Sequence, residues 1–294
     1  MKIFIAGATG FVGGHLTEAL RQRGHELVLL SHARRLTTEA GLSYVTGDVT
    51  EPDSYAAAMK GCDAAINLVG IIREFPGRGI TFERLHVEAT AAMVATAQKS
   101  GVLRYLQMSA LGTRANAVSR YHQTKWRAEE IVRASGLAWT IFRPSLIFGP
   151  KDAFVNMLAR QIRLLPLLPT FGDGTYRLQP IHGNDVARCF CEALEKAETR
   201  GQTYSLCGPD RLSYRELLDV IAEAVGRPHP LKPALPLGLM KPIISRLQGI
   251  AAFPITLDQL QMLLEENICD GDWQNTFTTP PVRFRDGIRA YLGR

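Results

Sequence analysis

The stretch Lys2-Ile3-Phe4-Ile5-Ala6-Gly7-Ala8-Thr9-Gly10-Phe11-Val12-Gly13 decides the fold. Its first five residues form a mostly apolar run that reads as a strand buried on both faces. Gly7, Gly10 and Gly13 form a turn, after which Phe11, Val12, His15, Leu16, Ala19 and Leu20 recur at the helical period. A strand, a glycine turn and a helix in that order meet the steric needs of a bound pyrophosphate. The turn is tight, the backbone approaches the anion closely, and the helix packs closely on the strand. The helix start adds unpaired N–H groups and the positive end of a dipole. Gly7, Thr9, Gly10, Phe11, Val12 and Gly13 are therefore expected to hold a dinucleotide; the plainer reading is a structural turn.

Working outward, Glu26–Leu30, Ser43–Thr46, Ala64–Val69, Tyr105–Met108 and Trp139–Phe142 repeat the strand pattern. A second helical stripe runs through Phe82, Leu85, Ala89 and Met93. Strands alternating with helices predict an α/β, Rossmann-type, doubly wound parallel sheet. Residues 1–150 form the dinucleotide-binding domain, with the sheet completed by about 175–207. There Leu178–His182, a helix from Asp185 to Lys196 and a strand at Thr203–Leu206 are expected to return to it, with Asp185 as a possible helix cap. Residues 151–174 and 208–294 form a small, mostly helical, substrate-side lobe, opened by a helix with Phe154, Met157, Leu158 and Ile162 on one stripe.

The second strand ends in Ser31-His32-Ala33-Arg34-Arg35, where an NAD-preferring site places a carboxylate on the ribose hydroxyls. With no acid to repel a 2′-phosphate, and with Arg34 and Arg35 able to pair with it, NADP(H) is expected over NAD(H). The alternative is that the arginines are a solvated loop. Asp48 and Val49 follow the third strand, where a carboxylate can accept from the adenine amino group. Leu68, Val69 and Gly70 close the fourth strand beneath the cofactor.

Further along stand Ser109, Tyr121-x-x-x-Lys125 and Arg143-Pro144-Ser145-Leu146-Ile147-Phe148-Gly149-Pro150. Tyr121 and Lys125 share one helical face. A phenol is a poor acid at neutral pH; a nearby ammonium and a positive nicotinamide ring are expected to lower its pKa and permit proton exchange with a carbonyl or alcohol. Together with Gly7–Gly13 and Gly47-Asp48, these phrases resemble the short-chain dehydrogenase/reductase superfamily, in its extended and atypical NAD(P)-dependent epimerase/dehydratase branch. Met108–Gly112 and Gln179–Ala187 sharpen the resemblance toward the group of the nucleotide-binding accessory subunit of respiratory complex I. It covers residues 1 to about 206 and is loose beyond Ser213.

The resemblance implies catalytic roles for Ser109, Tyr121 and Lys125, with Lys125 also on the nicotinamide ribose. It places Pro144, Ser145 and Ile147 beside the nicotinamide. His86 stands where many relatives have asparagine; a satisfied structural histidine is the plainer reading. Arg73, Arg78 and Arg84 either meet an anionic substrate or form a solvated loop. The implied function is NADP(H)-dependent hydride transfer to or from a carbonyl or alcohol, with Tyr121 as proton donor and acceptor. The alternatives are a nucleotide-binding, non-catalytic assembly or scaffold protein and, ranked lower, a nucleotide-sugar epimerase or dehydratase.

Composition narrows the partners. The 294 residues carry 34 Lys+Arg against 28 Asp+Glu, a net +6. Of these, residues 1–150 hold 17 against 12, so the excess sits with the expected cofactor, and no basic–aromatic block points to nucleic acid. A small-molecule substrate is expected. Five cysteines without a CxxC pair argue against a disulfide framework or a metal site and favour a reducing compartment. The start runs straight into the glycine turn, leaving no room for a cleavable leader, so a cytoplasmic location is expected. The Pro- and Leu-rich stretch 231–257 is interrupted by Lys232, Lys241 and Arg246. It is expected either as a packed helix pair or as a surface for a peripheral membrane or protein partner.

Overall fold

In the computed structural model the chain is described at residues 1–32, 40–165, 167–227, 230–250, 253, 255–278 and 280–293. It divides into two compact units. The first comprises Met1–Pro144, Gly183–Ser205 and Asp272–Thr279; the second comprises Ser145–His182, Leu206–Gly271 and Pro280–Arg294.

The first unit is built on β1 (Lys2–Ala6), β2 (Glu26–Ser31), β3 (Leu42–Thr46), β4 (Ala64–Asn67), β5 (Arg104–Met108), β6 (Ala138–Pro144) and β7 (Gln202–Leu206), in the order β7-β6-β5-β4-β1-β2-β3. Neighbours from β3 across to β6 run parallel, with Ile5 opposite Leu29 on one side and Ile66 on the other. The predicted doubly wound sheet is therefore present. The strand order reverses between β1 and β4, so their carboxyl ends open the crevice where α/β sheets bind ligands.

Four helices follow within this unit: α1 (Phe11–Gln22), α2 (Ala56–Met59), α3 (Ala89–Lys99) and α4 (Arg120–Arg133). A wider π turn, Glu83–Glu88, leads into α3. The core under the sheet gathers Phe4, Val28, Tyr55, Met59, Met93, Tyr105 and Ile141. β4 ends two residues before its predicted limit, because Asn67 turns its side-chain oxygen back onto the Val69 N–H at 3.0 Å.

Two later segments complete the first unit. The helix Gly183–Glu195 packs along α1, with His15 Nδ1 2.6 Å from Asn184 Oδ1. Asp185, expected as a cap, lies inside the first turn of that helix, which starts at Gly183. Arg104 is buried without an acidic partner among the described residues; its guanidinium donates to the Ala138 and Ala193 carbonyls and to Thr199 Oγ1 at 2.6, 2.7 and 2.9 Å. Phe142 stacks near Phe190 (4.4 Å) and Phe277 (5.8 Å), so the return segment and Asp272–Thr279 share one aromatic cluster.

The second unit has its own core of Phe148, Val155, Leu158, Ile162, Tyr214 and Phe284, among others. Its extended segments are two-residue ladders. Leu178–His182, expected to rejoin the main sheet, instead splits: Arg177–Leu178 pairs antiparallel with Leu212–Ser213, and Ile181–His182 pairs parallel with Ile147–Phe148. Gln179 and Pro180 between them break the run, and Gln179 sends its amide to the Gly208 carbonyl at 2.7 Å. Ser213 caps the helix Tyr214–Ala224 in a reciprocal box with Glu216. Cys207 and Cys269 form a disulfide with Cα atoms 6.1 Å apart, where the cysteine pattern argued against a disulfide framework. The odd count and a sequence separation of 62 gave no spacing signal for that pair.

Candidate active site

Gly7 adopts φ +82°, a conformation that L side chains rarely take, and an added Cβ would lie 2.9 Å from the Leu68 carbonyl carbon. Gly13 is closed more tightly: a Cβ there would lie 2.4 Å from the Gly7 carbonyl oxygen and 2.5 Å from Ala8. Gly10 precedes α1 in extended geometry, with no side-chain cap and no acid in the first turn. The helix N–H groups are thus left for an anion. Thr9 and Gly10 are exposed, Phe11 is half-buried and Val12 is buried. A cradle that side chains would fill, above an uncapped helix, fits a dinucleotide pyrophosphate.

Ser31 is buried at the end of β2, while Arg34 and Arg35 lie outside the described residues. Asp48 is half-buried. Its Oδ1 accepts from the Thr50 N–H and hydroxyl, both at 2.8 Å, and Arg84 stands 3.4 Å from Oδ2. Burial pushes this carboxyl up, but the Thr50 hydrogen bonds and the His32 and Arg84 charges outweigh it, and the pKa falls. Arg84 is therefore engaged with Asp48 and Thr50, while Arg73 and Arg78 lie over the Phe75 ring. Val49 and Leu68 are buried.

Tyr121 and Lys125 sit one turn apart on α4, which Ser119 caps by accepting from the His122 N–H at 3.3 Å. Lys125 is buried, and its ammonium donates to the Val69 and Met108 carbonyls, both at 3.3 Å. It therefore joins the ends of β4 and β5. Gly70 makes room for it, since a Cβ there would stand 2.8 Å from Lys125 Nζ. Ser109, next after Met108, is buried and donates to Thr113 Oγ1 at 3.3 Å.

Electrostatics here differ from the sequence-based expectation. Burial raises the Tyr121 phenol to about 12, and burial lowers the Lys125 ammonium to about 8, with Glu129 opposing. The ammonium spends its hydrogen bonds on main-chain carbonyls, so burial governs the phenol. Tyr121 is protonated at neutral pH, and among the described residues its hydroxyl meets no hydrogen-bond partner.

His86, in the π turn, touches this group: its ring lies 5.3 Å from the Tyr121 ring and stacks on Phe82. Nδ1 pairs with Thr124 Oγ1 at 2.9 Å and Nε2 with the Ile71 main chain at 3.2 Å. Burial, with Lys125 adding to it, lowers its pKa to about 2, so the ring is neutral. Phe82, Thr113 and Thr124 were not singled out as site residues; Phe82 had a signal in its helical stripe, the two threonines none.

Pro144 closes the first unit and accepts from the Leu111 N–H at 2.9 Å. Ser145 and Ile147 belong to the second unit, where Ser145 Oγ donates to the Gln179 carbonyl at 2.6 Å.

A family model described as NAD(P)H-binding matches residues 7–197. The Arabidopsis thaliana protein named NADH dehydrogenase (ubiquinone) 1 alpha subcomplex subunit 9, mitochondrial, is 32% identical over 248 residues, 81% of this chain and 61% of that protein. A Caulobacter vibrioides protein named ceramide reductase is 31% identical over 214 residues, covering 69% of this chain and 66% of its own length. The structure of Thermus thermophilus UDP-glucose 4-epimerase with NAD superposes with a TM-score of 0.78 at 19% identity, over 99% of this chain and 98% of that one, a likeness of fold. The resemblance drawn from the motifs stands. The chain spans 61%, 64% and 63% of the lengths of the Arabidopsis thaliana, Dictyostelium discoideum and Mus musculus subunit 9 proteins. Those relatives carry mitochondrial names, and the expected cytoplasmic location does not stand against them.

Proposed function

Because the chain belongs to the NAD(P)H-binding family, we propose that it is an NADP(H)-dependent oxidoreductase of the atypical short-chain dehydrogenase type, acting on a carbonyl or alcohol. The observation that carries this reading is the packing of Lys125 between the β4 and β5 ends, one turn from a buried, protonated Tyr121. When bound, the nicotinamide supplies or accepts a hydride at the carbonyl carbon. Gly7, Gly10 and Gly13 bring the backbone to the pyrophosphate, and Leu68, Val69 and Gly70 pass beneath the ring. Tyr121 gives its phenolic proton to the substrate oxygen, which Ser109 orients, when a carbonyl is reduced, and takes the hydroxyl proton when an alcohol is oxidised. The absence of a carboxylate at Ser31-His32, with Arg34 and Arg35 next in sequence, supports a 2′-phosphate. The relative named a reductase supports turnover.

A second reading, a nucleotide-binding scaffold with no turnover, is favoured by the relatives named as complex I subunits. Epimerase or dehydratase chemistry rests on likeness of fold alone. Purified protein with NADPH against a carbonyl panel separates them. Tyr121→Phe should cut turnover by about a hundredfold to ten-thousandfold. It should leave the rise in melting temperature with NADPH intact, ligand at a hundred times its Kd adding about 2.7 kcal/mol. A thermal shift without turnover favours the scaffold, turnover untouched by Tyr121→Phe removes the proton donor, and a larger shift with NADH removes the NADP preference.

A further inference from the structure

Acidic residues are unevenly spread. The chain carries 28 Asp+Glu in 294 residues, yet residues 153–172 and 224–257 contain none. Of the twelve exposed large apolar side chains among the described residues, eight fall in these two stretches. Leu164 is 69% exposed in the first; Leu231 and Leu239 are 70% and 60% exposed in the second. The stretches lie side by side in the second unit. The Leu168 N–H donates to the Leu231 carbonyl at 2.7 Å, and Thr170–Phe171 runs parallel to Ala234–Leu235.

The helix Leu237–Leu247 shows the pattern most clearly. Ile244 is buried, while Leu239 and Ile243, four apart and so on one face, are exposed. Lys241 and Arg246 are exposed and have no acidic partner among the described residues; Lys232, by contrast, pairs with Asp219. Arg160, on the neighbouring acid-free stretch, is likewise exposed.

We propose that this face docks on an anionic lipid bilayer, with the helix Leu237–Leu247 lying in the interface plane. An outward apolar face on a stretch that carries exposed cations, Lys241 and Arg246, without an acidic partner among the described residues matches a negatively charged leaflet. Eleven residues span about 16 Å, about half the roughly 30 Å hydrocarbon core, and no helix among the described residues is long and apolar enough to cross it. A two-fold pairing of copies through this face would gather the cations of both acid-free stretches from two copies into one seam, to which neither stretch brings an acid. The proposal is independent of whether the site turns over.

The test is co-sedimentation of the full chain with phosphatidylcholine vesicles, with and without phosphatidylglycerol. The expected result is binding to the anionic vesicles, weakened by salt, with little binding to the neutral ones. Leu239→Asp with Ile243→Asp should abolish it, and Lys241→Glu with Arg246→Glu should weaken it by more than about tenfold, each cation contributing about fivefold. Both variants should keep the wild-type melting temperature, since the side chains are exposed. Protein that stays in the supernatant with anionic vesicles at low salt overturns the proposal. So does a dimer in solution that Leu239→Asp dissociates, which would assign the face to a second copy.

Discussion

Gly13 and Gly238 both sit near the start of a helix, one in each unit, and a Cβ added to each would meet opposite surroundings. At Gly13 it would lie 2.4 Å from a carbonyl oxygen of the glycine turn; at Gly238 it would meet nothing within 4 Å. At the first helix the turn is packed so closely that one carbon is too many, while the second helix leaves one side unpacked. A substitution therefore reads differently at the two: at Gly13 it tests ligand geometry, at Gly238 it tests a surface.

The largest expected effect lies in the second unit, whose short ladders give few long-range pairings. Cys207→Ser with Cys269→Ser should lower stability by about 4 kcal/mol, the loop-entropy value for this separation. Urea denaturation of wild type with and without reductant should show the same loss. An unchanged midpoint would mean that the ladders suffice.

Gly13→Ala should cost about 3 kcal/mol by overpacking and remove the melting-temperature rise with NADPH. Gly238→Ala should leave that rise intact. If both variants respond alike to NADPH, the contrast between the two helix starts fails.

The last effect, absent at neutral pH, is on pH dependence. His86 is held neutral in the fold, with its pKa lowered from 6.5 to about 2. The unfolded chain binds a proton at this residue below pH 6.5 that the folded chain does not. Its contribution is therefore full above pH 6.5 and is lost as pH falls from there toward 2, by at most about 1.4 kcal/mol per pH unit. His86→Asn should flatten acid unfolding over this window; an unchanged slope would show that His86 takes up its proton in the fold.

Legibility followed the same division. β1 matched its reading at both ends, and β2, β3 and β5 differed by one residue, because buried parallel strands are apolar runs bounded by polar residues. Tyr121 and Lys125 were visible through their spacing. The burial that raises one pKa and lowers the other was not, since it depends on Phe82, His86 and Gly70 arriving from other elements. In the second unit, Met157 shares the helical stripe of Phe154, Leu158 and Ile162 in the sequence, yet it is exposed. Two-residue ladders and the Cys207–Cys269 pair are set by long-range packing, for which short-range period carries no signal.

The aromatic cluster around Phe142 has a consequence for synthesis. Phe277 reaches the ribosome exit 135 residues after Phe142, and Phe190 and Tyr204 emerge between them. At about 5–20 residues per second, that delay is on the order of ten seconds. Throughout it, Phe142 on β6 is without the Phe277 ring that completes its cluster.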